Sequence, residues 1–336
     1  MRQPMAARPW FIPLVPVYRL GVALRGLGLR MGLEPVRRLH QPVISIGNLT
    51  AGGAGKTPLT IALAQALTRR GLHVDVLSRG YGRRSALPLR VNSHGPAEEF
   101  GDEPILIARE TGAPVYVAAQ RYQAGLLAER DASSSGVHLL DDGFQHRQLH
   151  RDVNVLLLDG HTWFREKLLP AGNLREPLSA MRRADVLAIP AQEAASLEPS
   201  LRGRGRWQGP IWRLQRTMDV PAAEGPVIAF CGIARPEQFF AGLREAGMQL
   251  ADSIAFPDHH RYTTRDLDGL RETARAAHAV AFLTTEKDRV RLGEFGAALN
   301  ECCPLETAEL RIKVEEDDAA IDWLLGRLSS RLPEPR

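Results

Sequence analysis

The chain has 336 residues, 44% hydrophobic and 24% charged, the make-up of a globular protein large enough for more than one domain. Its three cysteines, Cys231, Cys302 and Cys303, form no Cys-x-x-Cys pair and no zinc-ligand spacing; this excludes a disulfide scaffold and a structural zinc site and fits a reducing compartment. The net charge of +4 is uneven: the first 40 residues carry seven arginines and one acid, Glu34, while the rest carries 36 basic and 38 acidic side chains, which argues against a nucleic-acid-binding body.

Residues 10–18 are uncharged, and Leu20, Leu24, Leu27 and Met31 then recur at spacings of 4, 3 and 4 on one helical face, with Arg19, Arg25 and Arg30 off it. The uncharged run is shorter than the ~20 residues that cross a bilayer, and no small-residue cleavage site follows it. The pattern predicts a helix lying in a membrane interface, leucines among acyl chains and arginines at anionic headgroups. A helix packed on the protein's own core fits the same pattern.

The apolar run 42–46 reads as a buried strand. A loop follows with glycines at 47, 52, 53 and 55, and Lys56-Thr57 opens an amphipathic helix patterned by Leu59, Leu63 and Leu67 and ending near Gly71. That strand, loop and helix are the context a phosphate-binding loop requires. Glycines let backbone N–H groups approach phosphate oxygens, and the helix N-terminus adds its positive dipole end. In this reading Gly52, Gly53, Ala54, Gly55, Lys56 and Thr57 bind a nucleotide, with Lys56 on the β/γ-phosphates and the Thr57 hydroxyl on Mg²⁺. The strict spacing asks for glycine at position 50, where Thr50 stands; Gly52-Gly53 supplies the same backbone freedom. A glycine-rich turn without a ligand is the plain alternative.

Strands are predicted at 74–77, 114–117, 137–140, 153–158 and 186–189, alternating with helical stretches, with a basic, glycine-rich loop at 79–84. This predicts an α/β fold: a P-loop NTPase-like, mostly parallel sheet with helices on both faces. Prolines at 210, 221 and 226 bracket a predicted linker at 209–225 with a short strand-like piece, 211–214, inside it. A second α/β pattern follows: strands at 227–230, 251–256, 279–284 and 306–314, helices at 236–246 and 265–278, a C-terminal helix from 317, and a disordered tail from Arg331. The expected organisation is a basic amphipathic membrane-associating segment (1–38), a P-loop core (39–208), the linker (209–225) and a smaller C-terminal α/β domain (226–330).

Four segments carry candidate chemistry. Asp141-Asp142 ends an apolar strand, where an acid of a phosphate-loop enzyme holds Mg²⁺, though strand-end acids also cap helices. His146, just beyond, is open to a catalytic or a plain loop reading. Asp102-Glu103, before Pro104, can accept a proton and assist a metal, or can start a helix. Asp258-His259-His260 follows a predicted strand and suits acid–base work, a metal or a surface turn. Thr284-Thr285-Glu286-Lys287-Asp288 faintly resembles a guanine-reading motif, but the asparagine is missing and GTP is discounted.

Together these segments resemble the tetraacyldisaccharide 4′-kinase family of lipid A biosynthesis. The matching pieces are Gly47-Asn48 through Thr57-Pro58, Ser78-Arg79-Gly80-Tyr81-Gly82-Arg83, Gly101-Asp102-Glu103-Pro104 and Asp141-Asp142-Gly143-Phe144-Gln145-His146. They continue in order through Leu174-Arg175-Glu176-Pro177, Gly232-Ile233-Ala234-Arg235-Pro236, Phe256-Pro257-Asp258-His259-His260 and the Thr284–Asp288 segment. The Gly-Gly-x-Gly-Lys-Thr form is the one this family uses. The resemblance implies transfer of the γ-phosphate of ATP, with Mg²⁺, to the 4′-hydroxyl of tetraacyldisaccharide 1-phosphate, giving lipid IV-A. It implies that Asp102 and His259 activate the sugar hydroxyl, with His260 still open as the histidine. Thr57, Glu103 and Asp141 then surround the metal, and Lys56 with Arg79 or Arg83 offsets charge. It also implies a lipid acceptor met at the cytoplasmic face of the bacterial inner membrane by a peripheral or monotopic enzyme, with no nucleic acid and no protein partner. Two rivals remain. A switch ATPase shares the loop but carries a lysine where this chain has Ala51, and a non-catalytic nucleotide-binding scaffold would tolerate loss of Asp102.

Overall fold

The computed structural model describes residues 8–52, 55–132, 136–160, 166–203 and 206–332. Among these, twelve strands form one sheet: β1 (Val43–Asn48), β2 (His73–Ser78), β3 (Leu89–Arg90), β4 (Val115–Val117), β5 (Gly136–Leu140), β6 (Val153–Leu157), β7 (Val186–Pro190), β8 (Ile211–Asp219), β9 (Val227–Cys231), β10 (Leu250–Ala255), β11 (Ala281–Thr285) and β12 (Leu305–Val314). Their order is β10-β9-β11-β12-β8-β7-β6-β1-β5-β2-β4-β3. All neighbours are parallel except β3 with β4 and β8 with β12. The helices are α1 (Val15–Arg30), α2 (Lys56–Arg69), α3 (Ala97–Phe100), α4 (Asp102–Thr111), α5 (Arg121–Asp131), α6 (Ala194–Arg202), α7 (Pro236–Glu245), α8 (Thr264–Ala276), α9 (Glu286–Leu292), α10 (Phe295–Asn300) and α11 (Asp317–Leu328).

Strands β1, β5, β6 and β7 are buried at every residue, as Val/Ile/Leu runs are when helices cover both faces of a parallel sheet. Alternation sends Ile44 and Ile46 to one face, onto Leu59, Leu63 and Leu67 of α2. Val43, Leu77 and Leu140 meet Ala124 and Ala128 of α5 on the other. Each buried leucine of α2 contributes roughly 1.5–3 kcal/mol through removal from water. In the second half, β9 and β11 pack on Phe239, Phe240 and Leu243 of α7 and on Leu267 and Leu270 of α8.

Three placements differ from the sequence reading. The stretch 209–225 contains β8, a strand that pairs in parallel with β7 and antiparallel with β12, so one sheet runs unbroken through both halves. Trp212 and Leu214 point into the core there while alternate residues face out. The last helix, α11, sits on the P-loop half: Ile321, Leu324 and Leu328 share a core with Leu59 and Leu63. The antiparallel β12 carries the chain back to that half. Arg331 is tied down, donating to Asp152 (2.7 Å) and to the carbonyls of Leu39 (2.9 Å) and His40 (2.7 Å).

The N-terminal segment is a 3₁₀ turn (Pro9–Leu14) running into α1; Leu29 is its one buried residue among those described. Leu20, Leu24, Leu27 and Met31 all face outward, so this helix does not pack its apolar face on the protein's own core. Its opposite face docks on the body: the Tyr18 hydroxyl donates to the Arg175 carbonyl (2.9 Å), and Gly26 passes beside the Arg147 guanidinium. By length and composition alone, the 22 residues Pro9–Arg30 are enough to cross a membrane.

Candidate active site

The phosphate loop joins β1 to α2. Gly55 sits at φ 88°, a left-handed conformation that a side chain resists, and turns the chain so that Lys56 opens α2. Gly47 is required for a different reason: a Cβ there would lie 2.6 Å from the Phe144 Cβ, so glycine lets the Asp141–His146 loop close onto the loop's base. Gly52 and Gly55 line the cleft, and Gly53 and Ala54 lie outside the described residues. Lys56 reaches to 3.7 Å from Asp142 Oδ1, and Thr57 is buried in the first turn of α2.

Asp141 and Asp142 leave the end of β5, beside β1. The Thr60 hydroxyl donates to Asp141 Oδ1 (3.0 Å). Burial, then the nearby Glu103 and Asp142 carboxylates, push the Asp141 carboxyl up to about 7. Asp142, at φ 48°, is held by Arg175 at 3.0 Å. Burial raises its pKa, but Lys56 and Arg175 outweigh that and leave it below the usual carboxylate range. His146 also faces the cleft; burial, reinforced by Arg121 and Arg151, pushes it down to about 4, so it is neutral at pH 7.

Gly101 (φ 91°) turns the chain into α4, and Asp102 is its first residue. The acids occupy a helix start, and Glu103 of that start lines the cleft. Asp102 Oδ1 accepts the Glu103 N–H (2.9 Å), and Oδ2 lies 3.3 Å from His259 Nδ1. His259 comes from the other half, in the loop after β10, at φ 58°, where its N–H donates to the Gly232 carbonyl (3.0 Å). Backbone held in this region is a strain that recurs at functional sites. His260 turns away: its Nε2 lies 3.1 Å from Asp266 and its ring stacks on Phe256. The Tyr81 ring lies 4.9 Å from that of His259. The hydrogen bond to Asp102 raises the His259 pKa above its ordinary value. Burial works to raise Asp102, but His259, Arg291 and Lys287 outweigh it and hold the carboxyl well below the usual range.

These groups open onto one cleft of about 1400 Å³. Lys56, Thr57, Arg79, Glu103, Asp141, Asp142, His146 and His259 all line it, while Asp102 stands behind His259. Arg83 instead donates to the Leu87 carbonyl (2.8 Å). Glu103 is ion-paired with Lys287 of α9. Among the described residues, no three His, Cys, Asp or Glu side chains are grouped to hold a metal unaided. Lys287 belongs to the Thr284–Asp288 segment singled out in the sequence, whereas Arg291 and Arg121 carry no signal there. Arg291 belongs to a seven-residue helix with no amphipathic run long enough to register, and Arg121 is a buried cation of α5 that faces the cleft. One face of α1 contributes Tyr18, Val22, Arg25 and Gly26 to the cleft.

Comparison with known proteins agrees in sequence and in shape. The profile of the family described as Tetraacyldisaccharide-1-P 4′-kinase matches residues 7–329. The Tetraacyldisaccharide 4′-kinase of Koribacter versatilis is 38% identical, covering 95% of this chain and 99% of the relative. That of Geobacter sulfurreducens is 39% identical over 92% of this chain and 91% of the relative. A crystal structure of LpxK from Aquifex aeolicus in complex with ATP superposes with a TM-score of 0.74 at 31% identity, covering 97% of this chain and 99% of the other.

Proposed function

The chain belongs to the tetraacyldisaccharide-1-P 4′-kinase family, and on that premise we propose how its cleft performs the transfer. The activity is ATP-dependent phosphorylation of the 4′-hydroxyl of tetraacyldisaccharide 1-phosphate, forming lipid IV-A in lipid A biosynthesis.

His259 is the proton acceptor and Asp102 its orienting partner. A carboxylate accepts hydrogen bonds only, so at 3.3 Å the His259 Nδ1 carries the hydrogen. Arg291 Nη2 lies 3.5 Å from the same nitrogen, the longer of its two contacts. Nε2 is then the free basic atom. Asp102 is a poor base, because it is buried, hydrogen-bonded at both oxygens and held ionised. The 4′-oxygen forms its bond to the γ-phosphorus as its proton passes to His259 Nε2. The bond from the γ-phosphorus to the β,γ-bridging oxygen breaks, and ADP leaves. Backbone N–H groups of the phosphate loop, Lys56 and Arg79 offset charge on the phosphates.

Mg²⁺ fits the residues present. Asp141 is a buried carboxyl pushed up to about 7 by burial and by its acidic neighbours, an environment that a cation relieves. Thr57, Asp141 and Glu103 would hold it with oxygen atoms, the rest of its shell coming from phosphates and water. A metal there neutralises charge on the transferring group.

The acceptor is a lipid, met at the cytoplasmic face of the inner membrane by a peripheral enzyme. What supports this is the two-faced α1: leucines point outward, while Tyr18, Val22 and Arg25 line the cleft. A helix so docked lies along a bilayer surface rather than through it, and its inner face lines the same cleft as His259.

The observation that carries the reading is the Asp102–His259 contact, made between the two halves over the same cleft as Lys56. Its test is steady-state turnover of Asp102→Ala and His259→Ala. Each is expected to lose most of kcat with ATP affinity kept, since the pair acts in the transition state. Wild-type turnover in either variant contradicts it.

A further inference from the structure

Asp288 and Arg291 lie three residues apart on α9, behind the catalytic pair. Asp288 is fully buried, and its carboxylate accepts from the Gly232 N–H (3.1 Å), the Tyr262 hydroxyl (2.9 Å), the Thr285 hydroxyl (2.6 Å) and Arg291 Nη1 (3.0 Å). Arg291 turns its remaining donors to the site. Nε and Nη2 reach Asp102 Oδ2 at 2.6 and 2.5 Å, and Nη1 reaches the Gly232 carbonyl at 2.5 Å. That carbonyl also accepts the His259 N–H. One guanidinium therefore grips the acid of the pair and the backbone group that seats the histidine. The same loop continues to Ala234, whose Cβ lies 3.7 Å from where a Cβ on Gly52 of the phosphate loop would be.

A buried ion pair is a weak source of net stability, because desolvation offsets the attraction. What a planar guanidinium supplies is fixed geometry across several acceptors at once. We infer that Arg291, locked in place by Asp288, is a positioning residue for phosphoryl transfer: it aims Asp102 Oδ2 at His259 Nδ1 and so keeps Nε2 turned to the acceptor hydroxyl. The inference rests on the assignment of Asp102 and His259 as the proton-accepting pair. Lysine cannot replace Arg291, since one ammonium does not span Asp102, Asp288 and the Gly232 carbonyl.

The test uses the full-length protein, ATP and the lipid acceptor in detergent micelles. Arg291→Ala is expected to lose about 100-fold in kcat, the usual effect of misplacing a reacting group by about 1 Å. KM for ATP stays within about threefold, as expected when an interaction made only in the transition state is lost. Added millimolar guanidinium restores turnover of Arg291→Ala saturably and does nothing for His259→Ala. In an Asp102→Ala background, removing Arg291 costs less than about twofold more, because the two act as one unit. Arg291→Lys keeps the buried charge, guards against a folding failure of the alanine variant, and is expected to lose about tenfold or more. Near-wild-type turnover of Arg291→Lys overturns the inference, as does a full additional loss in the double variant. Wild-type turnover of Asp102→Ala alone instead removes the catalytic pair, which tells the two failures apart.

Discussion

Replacing the outward face of α1 with glutamine, as Leu20→Gln, Leu24→Gln, Leu27→Gln and Met31→Gln together, isolates the membrane contact from the catalytic cleft. These side chains are 58%, 58%, 49% and 60% exposed, so none contributes much to the core. Glutamine is a good helix former, so α1 is kept. Fully burying a leucine or methionine is worth roughly 1.5–3 kcal/mol, and about half of each side chain remains to be removed from water, giving about 0.8–1.5 kcal/mol apiece and ~3–6 kcal/mol for the four. An interfacial helix immerses only to the acyl boundary, so the low end applies. At 1.4 kcal/mol per factor of ten, partitioning into vesicles falls by about 100-fold. Co-sedimentation with anionic phospholipid vesicles reads this directly, with nucleotide binding as the control. Vesicle binding within threefold of wild type, with ATP binding intact, would refute the claim that this face enters the membrane surface.

Other consequences follow from the cleft. kcat/KM should rise with pH through a pKa above the ordinary histidine value, because His259 accepts the proton only when neutral and Asp102 raises its pKa. Asp102→Asn should move that limb to lower pH while lowering the plateau; an unmoved limb assigns it to another group. Mg²⁺ affinity, measured calorimetrically with ATP present, should strengthen as pH climbs through about 7, where Asp141 ionises, and then level off. Asp141→Asn should abolish that dependence, and its persistence would remove Asp141 from the metal site. In the core, Leu63→Ala should destabilise by about 2–5 kcal/mol in chemical denaturation; a loss below 1 kcal/mol would mean that α2 is not packed as described.

Much of this was legible in the residues. The β1–loop–α2 unit announces itself because an all-apolar strand, glycines and a leucine stripe sit in immediate succession. The strands flanking it are legible for the same reason, being buried on both faces. What sequence could not supply was the partner of each face. The leucine stripe of α1 reads alike whether it covers a core or a membrane, and its outward exposure excludes the protein's own core. Strand β8 reads mostly as linker in the sequence because prolines bracket it and few of its residues are apolar, as befits a strand whose outer positions stay wet. The packing of α11 on the first half is not legible in the sequence because the antiparallel β12 returns the chain there, a long-range event that no local pattern records. At the site, local chemistry left Asp102 open between helix start and base, and left His259 and His260 equivalent. A contact across more than 150 residues, His259 with Asp102, and a local one, His260 with Asp266, distinguish them. Arg291 gave no signal, since a lone arginine on a short helix gains meaning only through the buried Asp288 beneath it and Asp102 above it.

The most direct test of the account is transfer of labelled γ-phosphate from ATP·Mg²⁺ to tetraacyldisaccharide 1-phosphate in micelles, run with wild type, Lys56→Ala and His259→Ala and resolved by chromatography. The account predicts a labelled bisphosphate from wild type, none from Lys56→Ala, and a severe loss in His259→Ala with ATP binding retained. Undiminished product from His259→Ala would contradict a cleft in which the two halves meet to move the acceptor's proton.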